Sequence, residues 1–270
     1  MYAHLITVGT SILRNFASLK EEQAFVEKRG MKDWHLMNPD DERQRLAESL
    51  AYRGNEAFEK LLSYVDKAPK EASAELNALY RFMELNMQRP NQVEAYLYST
   101  ETGTGWLCSH VLYHHLKGRG FKAQQPIKLK GLGRGVDFFD VALLEVVDKV
   151  VRMVKAKKEQ GLRVFVNATA GFKPEATLLV VASMLAGADQ AYYVHEAFKE
   201  VVTIPLPPLT VNPSYREALK PLLLPLPKHH ARELLTFKGL NLAELEEKGL
   251  LKEEGGNVTV REWVKKLLEH

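Results

Sequence analysis

A doubly wound, mostly parallel α/β sheet of the Rossmann-like kind is the fold this chain predicts, and three observations predict it. Short β-branched and apolar runs recur up to residue 204, amphipathic helical stretches separate most of them, and small-residue loops with glycine stand between a run and the helix that follows. Parallel neighbours need a crossover, and a helix is the usual one.

The elements follow in order. His4 to Val8 reads as the first strand and leads through Gly9-Thr-Ser11 into a helix. From about residue 15 to 88 the chain is helical and highly charged, longer than one crossover needs, so it predicts an insertion of two or three helices. Leu76, Leu79, Tyr80 and Met83 give that insertion one apolar face. Val93 to Tyr98 reads as the second strand and runs through Glu101-Thr-Gly-Thr-Gly105 into a helix over Gly103 to Lys117. Pro126 to Lys130 leads through Gly131-Leu-Gly-Arg-Gly135 into Val136 to Lys158, and Arg163 to Val166 through Asn167-Ala-Thr-Ala-Gly-Phe-Lys-Pro-Glu175 into Pro174 to Ala186. Ala191 to Val194 and Val201 to Ile204 close the sheet domain, residues 1–204. Seven prolines between Pro205 and Pro227 predict a stiff linker over 205–227 with one short helix. Residues 228–270 read as helix (Ala231 to Phe237), helix (Leu242 to Lys248), hairpin (Gly249 to Val260) and helix (Arg261 to Leu268), the order of a small winged helix-turn-helix.

Composition narrows the function classes. A length of 270 residues with 46% hydrophobic content buries one substantial core and a small appendage. A net charge of +3 is too small for broad nucleic-acid coating, so any such function needs a local site. The single cysteine, Cys108, excludes an internal disulfide and a cysteine zinc site, and its apolar neighbours predict a buried thiol. Met1 leads almost directly into a strand and no apolar run approaches a membrane span, which predicts a cytoplasmic protein without a membrane partner. The paired histidines at 114–115 and 229–230 have no ligand companions at metal spacing, and neither a dinucleotide fingerprint nor a Walker loop is present. No metal and no cofactor are expected.

In an open α/β sheet, ligands sit beyond the carboxyl ends of the strands, where the small-residue loops gather. Lys173 stands there at a helix start, a position that opposes the helix dipole unless an anion reverses the sign; the bland reading is a solvated lysine. Ser11 is either an ordinary N-cap or, with Gly9 and Thr10, a holder of phosphate and ribose. Thr102, Gly103 and Thr104 form either a tight turn or a third set of donors, and Arg134 is a second candidate phosphate cation. Asn167, Thr169, Gly171 and Phe172 complete the candidate ligand surface around Lys173.

The strand end Val8-Gly-Thr-Ser-Ile-Leu13, taken with Asn167-Ala-Thr-Ala-Gly-Phe-Lys-Pro-Glu175, resembles the CARF-domain proteins of type III CRISPR systems, and among them the stand-alone ring nucleases. The resemblance covers roughly residues 1–204, and an appended winged helix also occurs in that group. It implies a homodimer that binds a cyclic oligoadenylate, usually the tetra-adenylate, across its strand tips. It further implies metal-free cleavage to linear di-adenylates ending in a 2′,3′-cyclic phosphate. Ser11 and Lys173 carry over as the catalytic pair; Arg134 and the Glu101 to Gly105 loop match by position in the topology only. An alternative stays open: a transcription regulator that binds the same ligand without cutting it and passes the signal to DNA through the C-terminal domain. Lys228, Arg232, Lys238 and Arg261 are its candidate phosphate contacts, and the acidic stretch Leu242-Ala-Glu-Leu-Glu-Glu-Lys248 weighs against it.

Overall fold

The computed structural model describes residues 1–131, 139–170, 173–194, 200–205 and 210–269, the side chains of residues 139, 173–175 and 269 excepted. In chain order the elements are β1 (Tyr2–Val8), α1 (Ser11–Ala17), α2 (Gln23–Arg29), α3 (Arg43–Ser49), α4 (Glu56–Lys67), α5 (Pro69–Ala72) and α6 (Ala74–Leu85). Then come β2 (Val93–Ser99), α7 (Gly103–Gly118), β3 (Lys122–Ala123), β4 (Ile127–Lys128), α8 (Phe139–Val146), α9 (Arg152–Glu159), β5 (Arg163–Asn167) and α10 (Lys173–Leu185). The last part holds β6 (Gln190–Val194), β7 (Val201–Pro205), α11 (Pro213–Leu219), β8 (Leu226–Pro227), α12 (Lys228–Phe237), α13 (Leu242–Glu247), β9 (Leu251–Glu254), β10 (Asn257–Val260) and α14 (Glu262–Glu269).

The main sheet has the order β3-β2-β1-β5-β6-β7, with β4 extending the pairing of β2. Every neighbour pair is parallel except β6 with β7, so the predicted doubly wound, mostly parallel sheet is what forms. Strand alternation divides the two faces. From β1, Ile6 and Val8 enter a core shared with α1, α4, α6 and α7, while Ala3 and Leu5 enter one shared with α9 and α10. One single-turn π segment, Val147–Val151, joins α8 to α9.

Two expectations need correction. Beyond α1, the insertion over 15–88 holds five α-helices, α2 to α6, rather than two or three, because local stop signals subdivide the charged stretch. Gly30 ends α2 in the left-handed region (φ 62), and Asn55 and Ser73 start α4 and α6 by accepting from Ala57 N–H and Leu76 N–H. Residues 213–227 are no linker. Asn212 caps α11, Ala218, Leu219 and Leu222 are buried with Leu235, Leu245 and Val258, and Leu226–Pro227 forms an edge strand on β10, where proline is tolerated. The hairpin β9–β10 and helices α12, α13 and α14 fall where expected, and Trp263 of α14 packs against both this cluster and the core beneath α8.

Cys108 is fully buried, and burial pushes its thiol up out of the reactive range. The buried polar network under the sheet centres on His4. Its Nδ1 lies 2.7 Å from the Tyr192 hydroxyl and its Nε2 2.9 Å from Gln88 Oε1, inside a ring of Phe82, Phe165 and Tyr192. Burial lowers His4 from its ordinary 6.5 to about 4, against a raising effect of the Gln88 hydrogen bond. Because the unfolded chain binds this proton more readily, the contribution is whole above pH 6.5, declines as pH falls, and is gone below about 4. The loss expected is about 3 kcal/mol, with His110, His114 and His115, all lowered by burial, adding in the same direction. Urea unfolding at a series of pH values checks this: His4→Gln should flatten the slope between pH 6.5 and 4, and an unchanged slope would refute it.

Candidate functional site

The strand order reverses between β1 and β5: the chain winds from β1 toward β3 on one side and from β5 toward β7 on the other. The crevice beyond the carboxyl ends of these two strands is the ligand position of the fold. Gly9 to Ser11 leave β1 there, and Ala168 to Ala170 leave β5. The structure brings these two tips together, since Thr7 Oγ1 donates to the Asn167 carbonyl at 3.2 Å and also to that of Ala170.

On the β1 side the expected anion donors have an internal partner. Glu75, in the first turn of α6 and 1% exposed, accepts from Gly9 N–H at Oε1 (2.7 Å) and from the Ser11 hydroxyl at Oε2 (3.0 Å). The Ser73 hydroxyl donates to Oε2 as well, at 2.6 Å, and Ser11 Oγ accepts from Ala74 N–H at 3.2 Å. Gly9 and Ser11 thus hold a protein carboxylate where a ligand phosphate was expected, because the insertion delivers the start of α6 onto this tip. Thr10 gives its hydroxyl proton to the His35 carbonyl at 3.3 Å. Glu75 was missed in the sequence, yet a signal existed: it is a carboxylate on the buried stripe that continues through Leu79, Phe82 and Met83.

The β2 tip is a correction too. Thr102 caps α7 by accepting from Gly105 N–H at 3.2 Å, and Thr104 gives both its N–H (3.0 Å) and its hydroxyl (3.3 Å) to Gln44 Oε1 on α3. Gly103 is buried against the α3 backbone. The tight-turn reading therefore holds for Thr102, Gly103 and Thr104, since the insertion covers the start of α7.

On the β5 side Asn167 is fully buried, donating to the Glu75 carbonyl at 2.9 Å and accepting from Thr169 N–H at 3.2 Å. It stitches α6 to β5 and is no surface ligand. Thr169 Oγ1 accepts from Val194 N–H at 3.3 Å, and the residue is half-buried. The helix α10 opens at Lys173, in line with expectation, although the lysine side chain lies outside the described residues, as do Gly171, Phe172 and Arg134. Among the described residues no three His, Cys, Asp or Glu side chains stand together as a metal set, and no helix is long and apolar enough to cross a membrane. His115 is taken up by Asp66 at 2.6 Å and Tyr80 at 2.8 Å.

The strands β2 to β7, with the β5 side of the crevice but not the Gly9 to Ser11 tip, lie within residues 70–207, and these match the CRISPR-associated protein family Cas_APE2256, over more than half of the chain. The chain belongs to this family of CRISPR-associated proteins. The resemblance to the CARF-domain proteins of type III CRISPR systems agrees with that membership. Among solved structures, the chain is similar to Can2 from Sulfobacillus thermosulfidooxidans in complex with cyclic tetra-adenylate, at 10% identity and a TM-score of 0.32. That match covers 99% of this chain and 63% of Can2, and so distant a likeness does not transfer the ligand. The family match stops short of the C-terminal unit. Two of the four candidate DNA contacts there are engaged within the chain, Lys228 with Glu253 and Arg261 with Asp140, while Glu244 and Glu247 of α13 face solvent.

Proposed function

We propose that this Cas_APE2256-family protein is a ring nuclease. It binds cyclic tetra-adenylate across a homodimer and cleaves it without metal into two linear di-adenylates ending in 2′,3′-cyclic phosphates, which ends type III CRISPR signalling. The observation that carries the reading is the meeting of two strand ends at the switch point of the sheet, where Thr7, two residues before Gly9, bonds the Asn167 and Ala170 carbonyls just ahead of the Gly171-Phe-Lys173 sequence in a chain of a CRISPR-associated family. Cleavage requires the ribose 2′-hydroxyl in line with the departing 5′-oxygen, so holding that conformer and supplying positive charge to the phosphorane suffices for catalysis. Lys173 supplies the charge, with Arg134, Thr169 and the loop at Gly171 and Phe172 around it. Two copies of the site related by a twofold axis account for two cuts and two equal halves. The pairing of Lys228 and Arg261 and the acidic α13 rank the DNA-regulator alternative second.

Labelled cyclic tetra-adenylate incubated with the protein in excess EDTA should become di-adenylate. A ring that is bound but stays intact would overturn the nuclease reading in favour of the regulator, and a ring that is not bound would overturn both.

A further inference from the structure

A serine hydroxyl has one proton and two lone pairs. In Ser11 the proton points to Glu75 and one lone pair receives Ala74 N–H, which leaves a single lone pair on the hydroxyl of a half-buried residue at the β1 tip. Toward a ligand, Ser11 is therefore an acceptor, and it meets a hydroxyl or an amino group rather than a phosphate oxygen. Glu75 behind it is buried, and among the described residues no cation pairs with it. Glu75 accepts at both oxygens, Gly9 N–H at Oε1 and the Ser73 and Ser11 hydroxyls at Oε2, an arrangement that a carboxylate completes and a neutral amide, with one acceptor oxygen, does not.

Resting on the ring-nuclease reading above, we infer that Ser11 and Glu75 form the proton-accepting relay for the attacking 2′-hydroxyl, with Ser11 touching the substrate and Glu75 acting through it as a positioning residue. As the 2′-oxygen attacks phosphorus, the O2′–H bond breaks and the O2′–P bond forms. The 2′-proton goes to Ser11 Oγ while the Ser11 proton goes to Glu75 Oε2. The P–O5′ bond breaks, and the departing 5′-oxygen takes a proton from water. Glu75 returns its proton through Ser11 to the hydroxide left behind, so charge and protons balance over one cut.

The test compares wild type, Glu75→Gln, Glu75→Asp, Ser11→Ala, Ser11→Thr and the Ser11→Ala/Glu75→Gln double variant. Each is measured for cyclic tetra-adenylate Kd, single-turnover cleavage rate and melting temperature. Glu75→Gln keeps an acceptor for Ser11 only with its amide nitrogen turned toward Gly9 N–H, and it takes no proton, so its rate should fall by about 100-fold with Kd changed less than about threefold, the melting temperature reading the lost Gly9 bond separately. Glu75→Asp should recover part of the rate, and the double variant should be no slower than the slower single one. A Glu75→Gln rate equal to wild type, a loss explained by Kd, or multiplicative losses in the double variant would each overturn the relay. If Glu75→Gln fails to fold, the pair Ser11→Thr and Ser11→Ala decides: the relay requires the hydroxyl variant to cut and the alanine variant to lose the rate. Wild type that leaves the ring intact instead sinks the nuclease reading, and the relay with it.

Discussion

Lys173→Ala should lower the single-turnover cleavage of cyclic tetra-adenylate by about 100- to 1,000-fold, the range for removing one transition-state charge donor. The melting temperature should stay level or rise. The two halves of this expectation come from the same position. Lys173 is the first residue of α10, a 13-residue helix, where a positive side chain opposes the N-terminal end of the dipole. Removing it relieves that opposition, worth roughly 0.3 to 1 kcal/mol, while a bound phosphate loses the charge that spreads over its equatorial oxygens in the transition state. A lysine kept only for folding gives the opposite pattern, a fall in stability with little change in rate. Lys173→Arg should retain binding and recover part of the cleavage, because the charge survives while the geometry of a compact ammonium does not. An alanine variant that cuts within threefold of wild type would remove Lys173 from the mechanism.

The sheet was legible because its signals are local. β1, β2 and β5 read as apolar runs ahead of a glycine-containing loop, and β1, β2, β5 and β6 lie within two residues of where the pattern puts them. The two-residue β3 escaped, since Lys122–Ala123 has no periodicity to read. The site was harder, because donors at a strand tip are visible in sequence while their partners are not. The loops offer Gly9, Ser11 and Thr104 either as cap and turn residues or as donors to a phosphate; Glu75 and Gln44 claim them from 66, 64 and 60 residues away in the chain. Both partners sit on the insertion, whose packing on the sheet no local rule describes. A polar residue on an apolar stripe is the trace such a partner leaves, and Glu75 left one. The proline-rich stretch misled for a related reason: proline count measures stiffness, whereas Ala218, Leu219 and Leu222 decide burial.

Gly103→Ala should destabilise the fold by about 3 kcal/mol, at the upper end of what inserting one methyl into a packed contact brings about. No φ strain enters, since Gly103 is an ordinary helical residue at the start of α7. The obstacle is space: an added Cβ would lie 1.8 Å from the Gln44 carbonyl oxygen, 2.8 Å from its carbonyl carbon and 2.9 Å from Glu48 N. All three atoms belong to the backbone of α3, so no side-chain rotation relieves the clash and the whole helix must shift. Gln44 moves with α3, and its side-chain oxygen then leaves Thr104 N–H and the Thr104 hydroxyl unpaired in a buried turn. Gly118→Ala is the matched control at the other end of the same helix, where an added Cβ meets nothing within 4 Å. It should stabilise by about 0.5 to 1 kcal/mol through the lower flexibility of the unfolded chain. In thermal melts the two substitutions, identical in chemistry, should move the midpoint in opposite directions, Gly103→Ala downward by about 6 to 12 °C. Equal midpoints for the two variants would mean that α3 does not rest on the start of α7, and Gln44 would then not keep the β2 tip from a ligand.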